Sequence, residues 1–347
     1  MLPHAPNRRS HFCWNVNSQK LAHLCERFQL GTALGEAQPV TGGLIHHMWR
    51  VETTQGRFAI KQLHPQIIGQ PGLRDRYRLT EQIATALAAR GVPAVRALAC
   101  ADGPVQDIDD ISVLVFPWRE GSTLSSGPAE PTQAGQIGAV LGQMHALRLS
   151  IPGLEIPTWR VFRDDDWVLL ARRGTERALP WAESLRGALR DIRWWNGLAQ
   201  EADKRLWNNL VVSHRDLDQK NVLWRDGTTF AIIDWEAAGL INPTRELADV
   251  ALAWSGQTVG EPSEAAFRAV IDGYRLAGGA LADSAYDALY SCLGNALEWL
   301  EFNLRRTLND ASTPDEQAIA NAEIPKTLTM LQTLAENIGQ YVAWMET

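Results

Sequence analysis

The chain has 347 residues, 45% of them hydrophobic and 21% charged, which points to an ordinary globular protein of two domains or lobes rather than a disordered one. A net charge of −7 and a pI near 5.7 give no broad basic footprint for nucleic acid. No run of 18 apolar residues offers a membrane span, and residues 1–17 carry Arg8 and Arg9 but no apolar core of a secretory signal.

Residues 1–17 read as an irregular arm, followed by a short amphipathic helix over 21–28. The four cysteines, Cys13, Cys25, Cys100 and Cys292, are scattered without a CxxC pair, as expected of reduced thiols in a cytoplasmic protein. From 40 to 63 the pattern turns to strands. Val51, Phe58 and Ile60 recur in β-compatible runs, broken by Thr53-Thr54-Gln55-Gly56 as a hairpin turn. Leu79, Ile83, Ala86 and Leu87 fall at helical spacing over 74–90, with Gly91 where a C-cap belongs. Residues 111–116 form a short apolar strand ended by Pro117. The order describes a small sheet with one helix packed on it.

Beyond Gly121 the chain becomes mainly helical. Residues 122–131, rich in Pro, Ser and Gly, read as a linker. A helix over 133–147 has Ile137, Val140, Leu141 and Met144 in register. Residues 222–224 and 230–233 are strand-like runs around an Asp226-Gly227 turn, and a helix is expected over 244–254. Another covers 291–306, with Leu293, Leu297, Leu300 and Leu304 as its buried stripe. Thr313-Pro314-Asp315-Glu316 opens the last helix with a capping box and Pro at its first position. No internal repeat or low-complexity tract is evident.

Residues 213–236 carry the chemistry: SHRDLDQKNVLWRDGTTFAIIDWE. The pattern is His214-x-Asp216-x-x-x-x-Asn221, then a hairpin, then Ile232-Ile233-Asp234. Phosphoryl transfer explains these residue types. One carboxylate orients the acceptor hydroxyl and takes its proton, while an amide and a second carboxylate hold Mg²⁺ against the nucleotide phosphates. Asp216, Asn221 and Asp234 fit those roles in that order, and the hairpin returns both metal ligands to one end of the ribbon.

This segment resembles the catalytic and metal loops of the protein-kinase-like fold. More closely, it resembles those of the aminoglycoside phosphotransferase and choline kinase group of small-molecule kinases. The resemblance covers residues 40–254 in motif order. It implies an α+β, two-lobe fold: an arm and nucleotide-binding lobe with a small antiparallel sheet over 1–117, a mainly helical lobe over 118–347, and the active site between them. His214 is then expected to brace the catalytic loop. Several departures separate the chain from protein kinases. The Lys they carry two residues after the catalytic Asp is Asp218 here. The activation segment ending in Ala-Pro-Glu is missing, because the chain passes from Asp234 through Gly239 and Pro243 straight into a helix. Arg215 stands where many aminoglycoside-type enzymes have Gly, and could pair with a nearby carboxylate. The family often has an acidic residue near Glu246 in a structural role.

On the nucleotide side, Lys61 in Phe58-Ala59-Ile60-Lys61 matches the family's third-strand Lys, which contacts the α- and β-phosphates. Glu81 is expected to hold it, with Asp75 as the alternative. Thr41-Gly42-Gly43 is the phosphate-loop candidate, since Gly42 and Gly43 let backbone approach phosphate; His46 and His47 follow it. Phe116-Pro117-Trp118 matches the hinge, whose backbone would bond the purine. ATP is the expected donor, GTP an open alternative, and Mg²⁺ the cofactor.

On the acceptor side, residues 255–347 hold 13 acidic and five basic residues, against a nearly balanced remainder. An acidic cleft attracts an amino-bearing acceptor, although surface helices are also acidic for solubility. In the 291–306 helix, Glu298, Glu301 and Arg305 are expected on one face, off the leucine stripe, with Trp299 beside Asn303. Carboxylates next to an indole suit an ammonium group, or Trp299 simply packs on the core. Trp194-Trp195 would line a sugar-sized cleft or, as for most of the tryptophans, pack in the core. The expected enzyme phosphorylates a hydroxyl of a small molecule, either an aminoglycoside-like antibiotic or a metabolite such as choline, ethanolamine, homoserine or a sugar. A nucleotide-binding pseudokinase and a true protein kinase are the rival readings. No nucleic-acid or membrane partner is expected.

Overall fold

The computed structural model describes residues 16–40, 46–124, 127–156, 161–260 and 262–347. Two compact units divide the chain: Met1–Glu81 with Val95–Arg119, and Gln82–Ala94 with Glu120–Thr347. Among the described residues no helix is long and apolar enough to cross a membrane. Cys25, Cys100 and Cys292 are unbridged.

The first unit is built on five antiparallel strands: β1 (Gln38–Val40), β2 (His47–Thr53), β3 (Gly56–Gln62), β4 (Gln106–Ile108) and β5 (Ile111–Pro117), in the order β1-β2-β3-β5-β4. The expected hairpin joins β2 to β3, with Thr53 paired to Gly56. Alternation along a strand sends successive side chains to opposite faces. Ile60, Val113 and Val115 therefore join Val51 against helix α1 (Ser18–Arg27), which contributes Leu21, Leu24 and Cys25. Asn17 caps α1 by accepting from the Lys20 amide at 2.9 Å, so the helix starts three residues earlier than its apolar pattern suggested. Leu114, on the other face, packs with Leu63, Tyr77 and Val105. A short helix α2 (Pro65–Ile68) precedes α3 (Leu73–Ala88). Gly91 follows α3 at φ +87° and bonds the Ala88 carbonyl, as a C-cap should.

The second unit holds helices α4 (Pro131–Ala146), α5 (Asp164–Glu176), α6 (Ala182–Leu206), α7 (Pro243–Ser255), α8 (Glu264–Leu276), α9 (Ala285–Leu308) and α10 (Pro314–Glu346). The capping box of α10 forms as expected, Thr313 and Glu316 bonding each other's backbone amides. Two short ribbons complete the unit: β6 (Val211–Ser213) with β9 (Gly239–Ile241), and β7 (Val222–Trp224) with β8 (Phe230–Ile232). Two described residues of the stretch expected to be a linker are held by backbone hydrogen bonds. Ser122 and Trp224 exchange two backbone hydrogen bonds of 2.9 Å, and the Ala129 amide donates to Trp254 O.

Helices α4 and α8 touch through glycine. A Cβ on Gly138 would lie 2.0 Å from the Val270 carbonyl oxygen, and one on Gly142 would lie 2.5 Å from that of Tyr274. Only side chains that small let two helix backbones approach so closely. Trp167, Trp235 and Trp254 are fully buried in this unit's core, where most of their area contributes to the hydrophobic stabilisation of the fold.

Candidate active site

The loop after β6 is braced from inside. His214 is fully buried. Its Nδ1 accepts from the Asp216 amide at 3.2 Å, so Nε2 carries the proton and donates to Ile233 O at 3.0 Å. The ring sits edge-on to Trp235, 4.5 Å between centroids. One imidazole thus links the backbone at Asp216 to the residue before Asp234.

Asp216 is 41% exposed in its side chain, while Asn221 is only 3% exposed. The Asn221 Nδ2 donates to Asp216 O at 2.8 Å and to Asp216 Oδ2 at 2.9 Å. The amide's nitrogen end is committed to Asp216, which leaves Oδ1 as the oxygen a cation can use. Asp218 caps the intervening 3-10 turn by accepting from the Lys220 amide. The β7–β8 ribbon pairs Val222 with Ile232, and the Ile233 amide donates to Asn221 O at 2.9 Å. That register brings Asp234 one residue beyond Asn221's partner, at the same end of the ribbon. The Asp226-Gly227 turn is held by the Asp226 carboxylate, which takes the Thr228 and Thr229 amides and is drawn down to about 2 by those bonds. Asp234 adopts φ +61°, ψ +63°, a left-handed conformation that Asp and Asn tolerate better than most residues.

Lys220 is a residue the motif reading passed over. Its Nζ lies 3.3 Å from Asp216 Oδ1 and 2.6 Å from Asp218 Oδ2. Burial works against its charge, but the two carboxylates outweigh that and hold its pKa above the usual value. Asp218 is raised, mainly by burial. Asp218 stands at the position where protein kinases carry Lys, and Lys220 brings a cation to Asp216 from two residues further on. Its four-residue separation from Asp216 was the available signal.

Behind the loop, the Arg215 amide donates to Glu246 Oε1 at 2.6 Å. Glu246 belongs to the first turn of α7, whose start is set by Asn242 accepting from the Thr244 and Arg245 amides and by Pro243. Arg215 has φ +69°, a region where Gly is at ease and Arg is not. Three residues along α7, Asp249 accepts from Asn295 Nδ2 at 3.3 Å, and burial, with Asp216 and Glu246 nearby, pushes its carboxyl up to about 6 despite Arg245.

The remaining expected residues fall as follows. Lys61 is buried on β3, opposite Met48 and Leu114. Glu81 is on α3, where its Oε2 accepts from the Ala97 amide at 2.7 Å. Asp75 opens α3 and pairs with Arg78 on the surface. Phe116 lies on β5 opposite Ala59, and the Trp118 amide donates to Arg57 O. Gly42 and Gly43 lie outside the described residues. His46 is buried, accepting from the His64 amide and facing the Tyr77 hydroxyl. In α9 the four leucines are fully buried as expected. Glu298 is exposed, and Trp299 stacks on Phe302. Glu301, off the leucine stripe, is nevertheless 1% exposed and bonded by Arg305 Nε, because α9 packs on several helices and few of its positions reach solvent. Of the tryptophan pair, Trp194 is exposed and Trp195 is buried.

A small antiparallel sheet, a helical unit and an HxDxxxxN loop feeding a ribbon with an Asp at its end define the protein-kinase-like class of phosphotransferases. Residues 36–279 match the model of the phosphotransferase enzyme family, and the chain belongs to that family. Solved structures of the same fold include spectinomycin phosphotransferase in complex with ADP and spectinomycin (TM-score 0.67, 15% identity, 90% of this chain and 98% of that one). Two others are a choline/ethanolamine kinase family protein from Mesorhizobium loti (TM-score 0.58, 17% identity, 95% and 99% covered) and an ethanolamine kinase from Plasmodium vivax (TM-score 0.56, 16% identity, 86% and 81% covered). Comparison with curated protein sequences returns no match.

Proposed function

We propose that this enzyme transfers the γ-phosphoryl group of ATP, with GTP as the alternative donor, to a hydroxyl of a small amino-bearing molecule of the aminoglycoside kind. The observation that carries this reading is the Asp216–Asn221–Asp234 arrangement: an exposed carboxylate held by a buried amide, with a second carboxylate at the same ribbon end. Asp216 orients the acceptor hydroxyl and accepts its proton as the oxygen attacks phosphorus. His214 holds the loop and takes no part in the proton transfer.

Asn221 Oδ1 and the Asp234 carboxylate are hard oxygen donors. Among the described residues no group of three or more His, Cys, Asp or Glu is arranged to hold a metal. A set of two suits Mg²⁺, which keeps waters and nucleotide phosphates in its shell rather than an all-protein cage. When bound, Mg²⁺ would offset the charge that builds on the phosphate oxygens. Lys61 supplies the cation for the α- and β-phosphates, steadied by Glu81, and the backbone from Phe116 to Trp118 takes the purine edge.

The acidic balance of residues 255–347 supports an amino-bearing acceptor, with Glu298 and Trp299 offering a carboxylate and an indole. Spectinomycin, bound in a structure of the same fold, is an acceptor to test first. The experiment is transfer from γ-labelled ATP and GTP with Mg²⁺ to aminoglycosides, spectinomycin, choline, ethanolamine, homoserine and amino sugars. Labelled product with an aminoglycoside or spectinomycin is expected. Product with choline or ethanolamine alone would replace the antibiotic reading by the metabolite one, and label on protein alone would refute both.

A further inference from the structure

A buried polar network lies behind the catalytic loop, and the proposed chemistry makes no use of it. His145, on α4, is 4% exposed. Its Nε2 is 2.8 Å from Glu246 Oε2 and 3.2 Å from Ser213 Oγ, and its Nδ1 is 3.0 Å from the Tyr274 hydroxyl on α8. The two rings meet edge to face, 5.5 Å between centroids. Glu246 is buried on α7, and its second oxygen takes the Arg215 amide.

A carboxylate this deep needs partners to remain ionised. Burial alone would raise the Glu246 carboxyl, but the hydrogen bonds from His145, Ser213 and the Arg215 amide outweigh it and hold the group below its usual value. The Arg215 peptide needs holding, because φ +69° is disfavoured for a residue with a Cβ. Arg215 leads directly into Asp216. The Tyr274 hydroxyl engages Nδ1, which leaves Nε2 to face Glu246.

We infer that His145 is a positioning residue for phosphoryl transfer, acting through Glu246 on the peptide that carries Asp216, with Tyr274 fixing the orientation of the imidazole. This rests on the reading of Asp216 as the base. Misplacing a reacting group by about 1 Å costs on the order of 100-fold in rate, which sets the expected size.

The test compares the wild type with His145→Ala, His145→Gln, Tyr274→Phe and Asp216→Asn, in acceptor phosphorylation or, failing an acceptor, in ATP hydrolysis. Amide hydrogen exchange over residues 213–221 is read on the same proteins. His145→Ala should lose about 10- to 100-fold in kcat with nucleotide KM within twofold, and the Arg215 amide should lose protection. His145→Gln, whose side-chain amide can still donate to Glu246, should recover most of both, and Tyr274→Phe should lose kcat several-fold at unchanged KM. Wild-type kcat and exchange in His145→Ala would overturn the inference. So would equal damage in the Gln and Ala variants. If His145→Ala does not fold, the other two variants decide: wild-type kcat in Tyr274→Phe together with unrecovered activity in His145→Gln would overturn it. Full activity in Asp216→Asn would refute the base assignment instead, and the Arg215 exchange would still report whether His145 holds that peptide.

Discussion

Replacing Gly138 by alanine tests how tightly the second unit is assembled. The added methyl would lie 2.0 Å from the Val270 carbonyl oxygen, 2.7 Å from its carbon and 2.9 Å from its Cα. All three are backbone atoms of α8, so no rotamer change relieves them, and the helices must part by roughly 1 Å. Overpacking of this kind costs about 1–3 kcal/mol. The same displacement lengthens the 3.0 Å contact between His145 and Tyr274, adding about 1 kcal/mol for the strained hydrogen bond. A loss of about 2–4 kcal/mol corresponds to a fall of about 4–16 °C in Tm for a unit of this size. The control is Gly187→Ala on α6, where the new methyl meets nothing within 4 Å. There alanine should stabilise by up to about 1 kcal/mol, because helical glycine forfeits backbone entropy. Calorimetric melts of both variants should therefore move in opposite directions. A Gly138→Ala protein melting with the wild type would refute the close α4–α8 approach.

Arg215→Gly should be more stable than Arg215→Ala by about 1 kcal/mol in urea unfolding, since only glycine adopts φ +69° without strain; equal stabilities would contradict the left-handed peptide. Asp249, raised by burial to about 6, keeps its proton in the fold over a pH range where the unfolded chain has lost it. Its contribution is therefore most favourable below about pH 4 and declines as pH rises from about 4 to about 6, by up to about 3 kcal/mol. Asp249→Asn should accordingly exceed the wild type in stability at pH 7.5 and match it at pH 4, and a gain independent of pH would refute this. Asn221→Ala and Asp234→Asn should each raise the Mg²⁺ needed for half-maximal activity at least about tenfold, whereas an unchanged Mg²⁺ dependence would remove them as ligands.

The layout of the 213–236 segment was legible in the sequence because phosphoryl transfer, the proposed chemistry, constrains residue type and spacing together. Asp216, Asn221 and Asp234 stand in a pattern that the β7–β8 ribbon realises directly. The hairpin at Thr53–Gly56, the C-cap at Gly91 and the capping box at Thr313 were legible for a similar reason, since each is a local signal. Strands β6 and β9 were not: three residues cannot display an alternation, and Val211 pairs with Ile241 far along the chain. His145 reads as one polar residue in an apolar helix until Glu246 and Tyr274 meet it. The burial of Glu301 is not legible, because a single apolar stripe assumes a helix with one packed face, whereas α9 buries residues around much of its circumference.

In the proposed function Asp216 performs the proton transfer on a scaffold that binds nucleotide without it. The decisive measurement is kcat for Asp216→Asn beside its nucleotide Kd from calorimetry with Mg²⁺ and ATP. A proton-transfer role for Asp216 predicts a fall in kcat of about 10²- to 10⁴-fold with Kd within about threefold of wild type. A variant that keeps wild-type kcat, or that loses activity only in proportion to lost nucleotide binding, would contradict it.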